Sequence, residues 1–254
     1  MSYNTGPRIV TENILVYVDA GNTKSYPGTG ESWFDLSGQG NTASRTNNLG
    51  FGGQVTYNTG GFFDFSVNNP AVTSGATSGN GFTFLNMIIP PTGSFSLFSV
   101  IRRNPAAKAF GDRETIFGNT SNPDGWRFGI SGGGDIYYLI GGAGGAGYQE
   151  GSLGGSNLVD TYWHSVCVVF DRNATLGSYT VYGYIDGIIS GTATISAGAS
   201  AGIAFSNQSP GIGYRGCCDV FAGQIALFMA HASALTQKNV VMNHNAVKSR
   251  FNIL

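Results

Sequence analysis

Charge is scarce in this chain. Of its 254 residues, 13 are Lys or Arg and 14 are Asp or Glu, so charged residues make up 11%, against roughly 25% in an ordinary domain. The formal net charge is -1, and no basic cluster exceeds Arg102-Arg103. Neutralising a phosphate backbone takes a clustered basic patch, so the composition argues against nucleic acid as a partner. Long apolar runs are missing as well. None reaches the ~18 residues that span a bilayer, which argues against membrane insertion. The opening MSYNTGPRIV lacks the apolar core of a secretory signal. Cysteine is sparse too, with only three, which suits a reduced compartment. Adjacent Cys217 and Cys218 have poor geometry for an ordinary bridge. Cys167, inside the apolar run VCVVF, reads as a core thiol.

Glycine and aromatics are plentiful. There are 40 glycines, and 13% of residues are Phe, Trp or Tyr. The aromatics sit in alternating patterns, which excludes a disordered chain. Strand signals dominate. ILVYVDA (14–20) ends at the turn pair Gly21-Asn22. SFSLFSVIRR (94–103) alternates, so that Phe95, Leu97, Ser99 and Ile101 share a face. TIFGN (115–119) and WRFGIS (126–131) flank Asn122-Pro123-Asp124-Gly125 and read as a hairpin. DIYYLIG (135–141), YWHSVCVVFD (162–171) and YTVYGYIDGIIS (179–190) follow, the last with a hairpin turn at Asp186-Gly187. GQIALFMA (223–230) closes the series. One segment has helical character. Thr236 suits an N-cap. Val240, Val241, His244 and Val247 then form a stripe, with Lys248 and Arg250 at the negative end of the dipole. No linker, repeat or charge block interrupts the chain. The pattern predicts an all-β, two-sheet antiparallel sandwich or jelly roll over residues 1–254, with a short C-terminal helix.

The ordered set of motifs resembles the concanavalin A-like, laminin-G-like jelly-roll family. ILVYVDAGNTKSYPGTGESWFDLSGQGNTA is similar to the family's opening. GGFFDFSVNN, YWHSVCVVFD, YGYIDGIISGT and GQIALFMAHASALTQKNVVMNHNAVKSRF follow in the family's order and cover nearly the whole chain. Two positions depart from the pattern. Asn69-Pro70 and Asn239 stand where the family carries carboxylates, which weakens a metal site at that turn. A narrower resemblance joins Tyr3-Asn4-Thr5-Gly6-Pro7 and the ending Asn243-His244-Asn245-Ala246 with Lys248-Ser249-Arg250-Phe251. It is to single-domain proteins of tailed phages of marine bacteria and cyanobacteria. It implies a virion surface protein, made in the host cytoplasm: a capsid decoration, head fibre or tail appendage. Its partners would be other virion proteins and a host surface glycan, with a homo-oligomer such as a trimer. The alternative is a free carbohydrate-binding lectin module.

Glucanases share this jelly roll, and their chemistry needs two carboxylates about 5–5.5 Å apart. No Glu/Asp run on one strand face supplies them. Asp112-Arg113-Glu114 has the spacing but reads as a solvated turn, so no catalytic residue is predicted and the chain reads as a non-enzyme. Three histidines leave a Ser-His-Asp arrangement open. His164 reads as structural, and His231 and His244 as helix-packing. GAGGAG (142–147) matches a dinucleotide fingerprint, but YQEGSLGGS after it starts no helix. Calcium would find Asp35, Ser37 and Asn41 in the loop DLSGQGN, although Asp35 and Asn41 also suit turn caps. Glycan contact would fall to aromatics near loops with donors beside them: Trp126, Arg127, Tyr148 and Tyr214. Trp33 and Trp163 read as core residues from their flanks.

Overall fold

The computed structural model describes residues 7–46, 55–66, 81–85, 89, 93–104, 113–121, 124–140, 149–154, 158–173, 175–195, 210–214 and 220–253. In chain order the strands are β1 (Ile14–Asp19), β2 (Ser32–Trp33), β3 (Ala43–Thr46), β4 (Thr56–Asn58), β5 (Phe62–Asp64), β6 (Gly81–Phe84), β7 (Phe95–Arg103) and β8 (Arg113–Ser121). They continue as β9 (Asp124–Ser131), β10 (Ile136–Ile140), β11 (Gln149–Ser152), β12 (Trp163–Asn173), β13 (Ser178–Ile185), β14 (Ile188–Ile195), β15 (Gly211–Ile212) and β16 (Gly223–His231). The helix α1 is Gln237–Phe251.

The strands form two antiparallel sheets. Sheet A runs β14-β13-β12-β7-β16-β5-β4, with β1 also on β16, and sheet B runs β11-β10-β9-β8-β15-β6-β3-β2. The alternation of side chains along each strand decides what lies between them. Phe63, Leu97, Ile101, Val166, Val168, Phe170 and Phe228 from sheet A meet Trp33, Phe82, Phe84, Phe117, Trp126, Phe128 and Tyr138 from sheet B in one buried cluster. Each such side chain contributes roughly 1.5–3 kcal/mol of burial. The hairpin at Asp186-Gly187 forms as expected, with φ of 53° and 79° at its two central residues, the left-handed pair that matches strand twist.

The centre of sheet A is buried on both faces. Phe98, Val100, Cys167, Val169, Leu227 and Met229 point away from sheet B and pack under Val240, Val247 and Phe251 of α1. That explains why β7 is almost continuously buried rather than alternating. Thr236 caps the helix as predicted, accepting from the Asn239 backbone N–H at 3.2 Å. The buried stripe is Val240, Asn243, His244, Val247 and Phe251. Asn243 thus enters the stripe, and its Oδ1 accepts the Val10 N–H at 2.8 Å. Trp33 is in the core. Trp163, expected there, instead lies half-buried on the outer face of sheet A against Phe62 and Phe251.

Candidate functional site

On sheet B, the residues that alternate with the core set face outward. Register places Arg113 opposite Ser131, Tyr137 opposite Gly129 and Ser152, and Leu139 opposite Arg127 and Glu150. The result is a polar cleft of about 490 Å³ at the β11 edge, lined by Arg113, Ser131, Tyr137, Glu150, Ser152 and the Gly132-Gly133 turn. Arg113 Nη2 donates to Glu150 Oε1 at 2.6 Å, and the Tyr137 hydroxyl donates to Glu150 Oε2 at 2.5 Å. Two guanidiniums stack on the Tyr137 ring, Arg113 at 4.8 Å and Arg127 at 4.9 Å from its centroid.

The electrostatics follow from this packing. Burial and the hydrogen bond to Glu150 push the Tyr137 phenol well above its usual range, so it stays a hydroxyl. For Glu150, burial works upward, but the Tyr137 hydrogen bond and Arg113 outweigh it and hold the carboxyl below its usual value. Arg113 and Arg127 both act on the Glu150 carboxylate. A cleft with this lining suits a hydroxyl-rich or carboxylate-bearing ligand.

The residues expected to contact glycan are distributed differently. Trp126 is 2% exposed, its ring packed against Phe95 and Phe117. The indole belongs to the inter-sheet core, and no open ring face remains to stack on a sugar. Arg127, its neighbour, faces the other way but is 1% exposed, and its Nη2 donates to the Tyr137 hydroxyl at 3.3 Å. It acts on the cleft from beneath. Tyr214 is half-buried on the outer face of sheet B, bonded to Thr83 and lying over Gly81 and Gly211, where any Cβ would collide with its ring. Tyr148, GAGGAG (142–147) and Cys217-Cys218 lie outside the described residues.

The DLSGQGN loop is a clip. Asp35 Oδ1 accepts the Tyr17 and Ser37 backbone N–H groups, both at 2.9 Å. Its Oδ2 accepts the Ser37 hydroxyl at 2.7 Å and the Asn41 N–H at 2.9 Å. Asn41 Nδ2 donates to Leu15 O at 2.7 Å. These contacts satisfy the free edge of β1. Four hydrogens converge on the carboxylate that calcium would need bare, so the loop does not fit the ion. Among the described residues no group of three or more His, Cys, Asp or Glu is disposed to hold a metal.

Glu114 is not on a solvated turn. It is 3% exposed on β8, facing the interior, where its Oε1 takes Arg103 Nη2 at 2.6 Å and Nε at 2.7 Å. Burial raises its carboxyl despite Arg103. Glu150 lies on the opposite face of the same sheet, so these two acids form no glycosidase pair. Arg102 and Arg103, adjacent in sequence, likewise part to opposite faces. Ser165 Oγ lies 2.9 Å from His244 Nδ1, but the nearby Asp186 binds His164 Nδ1 at 2.7 Å and the Ser165 N–H at 2.8 Å. Among the described residues no carboxylate bond to His244 orients it as a base, and both partners are buried. His231 is buried at the end of β16, and its Nδ1 lies 3.1 Å from Glu12 O beside β1.

A sequence profile described as the concanavalin A-like lectin/glucanases superfamily matches residues 86–241. The chain belongs to this superfamily. Solved structures match it over most of its length. The binding domain of paraclostridial mosquitocidal protein 1 is 15% identical, with TM-score 0.59, over 93% of this chain and 52% of that one. The botulinum neurotoxin DC binding domain, solved with rat synaptotagmin II, is 17% identical, with TM-score 0.58, over 94% and 52%. The botulinum neurotoxin serotype D binding domain is 14% identical, with TM-score 0.61, over 92% and 52%. The chain thus spans about half the length of these structures, and at such identities the likeness is one of fold. No curated protein matches the sequence. No helix among the described residues is long and apolar enough to cross a membrane.

Proposed function

We propose that this chain is a one-domain glycan-recognition protein of a tailed-phage particle, seated on the capsid or tail with its cleft open to the host surface. The observation that carries the glycan part is the convergence of Arg113, Tyr137 and Glu150 in an outward cleft. These groups donate and accept within one small space, as a sugar's hydroxyls require. The phage part rests on the likeness of the first and last segments to phage structural proteins. A low-charge, Gly-rich exterior suits a dense neutral coat. The matched structures are binding domains, which supports a recognition role over a catalytic one. They also favour a second reading, a lectin module not carried on a particle.

Two measurements test this. Mass spectrometry of purified particles from a phage encoding the chain should find it in stoichiometric amount, and its absence sinks the virion role. Retention on immobilised host-surface glycans should fall about tenfold in Arg113→Ala, as loss of a charge-assisted hydrogen bond implies. Retention unchanged in that variant removes the cleft from the reading.

A further inference from the structure

Sheet A carries a second polar array, on the face opposite the inter-sheet core. Register sets Trp163 beside Arg102, Arg102 beside Gln224, Gln224 beside Asp64, and Asp64 beside Thr56. These five residues form one row across β12, β7, β16, β5 and β4. Helix α1 covers the same face as far as Phe251, whose ring centroid is 5.0 Å from that of Trp163. The first four residues of the row are half-buried and Thr56 is exposed.

The row is joined side chain to side chain. Arg102 Nε donates to Gln224 Oε1, and Gln224 Nε2 donates to Asp64 Oδ2 at 3.2 Å. The Arg102 guanidinium lies against a pair of touching rings, 5.0 Å from the Trp163 centroid and 5.5 Å from that of Phe62, which are 5.4 Å from each other. These ring contacts hold it in place, with its two amino groups as donors. Asp64 Oδ1 accepts the Ser66 N–H at 2.8 Å, and among the described residues no cation pairs with this carboxylate. Fixed donors at Arg102 and acceptors at Asp64 thus stand two strand spacings apart, roughly 10 Å, with an amide between them. The charges cancel across the row.

We propose that this row is a second saccharide-binding platform, which takes a neutral oligosaccharide laid across the strands. Sugar hydroxyls donate and accept alternately along a chain. A neutral ladder with donors at one end and acceptors at the other meets them without selecting for a charged ligand. Arg102, Gln224 and Asp64 make the contacts. Trp163 and Phe62 are positioning residues, since Arg102 occupies the approach to their rings. The proposal rests on the glycan-binding reading of the chain but uses a different face.

Nuclear magnetic resonance titration with cellohexaose, laminarihexaose, maltohexaose and mannohexaose separates the two. The expected result is that at least one sugar shifts the Trp163 indole N–H and the Arg102 guanidinium signals saturably. Asp64→Asn and Arg102→Gln should each weaken that titration about tenfold, with a thermal unfolding curve confirming that each variant is folded. Shifts confined to residues around Tyr137 and Arg113 overturn the platform and leave the cleft reading intact. No shift with any of these sugars overturns the platform as well. Loss of the cleft reading is a separate outcome, read from retention of Arg113→Ala on host glycans.

Discussion

The Arg250 guanidinium closes on the Asp19 carboxylate with two hydrogen bonds, of 2.7 and 2.6 Å. This clasp ties the last turn of α1 to β1, residues 231 positions apart. Gly21 makes room for it, because a Cβ there would stand 2.4 Å from Arg250 Nη2. Arg250→Ala should destabilise the fold by about 2 kcal/mol, less than for a fully buried pair, because the arginine side chain is 36% exposed. Urea denaturation of Arg250→Ala, Asp19→Ala and the double variant measures the coupling. Additive effects would show that the clasp contributes nothing.

His164 should make stability depend on pH in one direction and His244 in the other. Burial works against protonating His164, but bonds to Asp186 and to Asp160, at 2.7 and 3.0 Å, outweigh it and raise its pKa. The stabilisation is therefore full below the unfolded value of roughly 6.5 and is lost as pH rises through the folded value. Burial lowers His244, Asp186 works against that shift and Lys248 adds to it. Its contribution is present above about pH 6.5 and fades on acidification. Melting temperatures from pH 5 to 9 should show His164→Gln losing most at the acid end and His244→Asn losing most at the neutral end. A pH-independent loss in both variants would refute the assignment.

Glu114→Gln should cost about 3 kcal/mol, because Arg103 would keep its charge in the interior without a counter-charge. The side chains of the pair are 9% and 4% exposed. Replacing both, with Arg103→Met beside Glu114→Gln, should recover much of the loss. Chemical denaturation of the three variants checks this. A double variant as unstable as the sum of the singles would mean that the charges are not coupled.

Calcium and chelator should both leave the melting temperature unchanged, since the Asp35 carboxylate is taken up by four hydrogen bonds within its loop and with β1. Asp35→Ala should destabilise by about 2 kcal/mol through the orphaned donors. A rise in melting temperature with calcium would overturn the clip.

Local pattern carried most of the secondary structure. Alternation in SFSLFSVIRR puts Phe95, Leu97 and Ile101 in the inter-sheet core, and Asp186-Gly187 turns where a left-handed pair is wanted. Thr236 caps the helix because its hydroxyl reaches an N–H three residues on. Each of these depends on neighbours in sequence. The sites do not. The meeting of Tyr137 with Glu150 requires the pairing of β10 with β11, and Arg113 approaches them from β8. Trp126 looked accessible because its flank resembles a loop; the parity of β9 sends it inward and Arg127 outward.

The amino-acid order by itself determined the class of fold, since apolar residues at a two-residue period must bury one face of a sheet and low charge leaves few other ways to assemble. Tertiary structure alone decided which polar residues share a surface. Arg102 and Arg103 are neighbours in the chain, yet one lies against Trp163 and Phe62 on the outer face and the other meets Glu114 in the interior. A strand turns successive side chains to opposite faces, so chemistry on a sheet is set by register between distant strands rather than by adjacency along one.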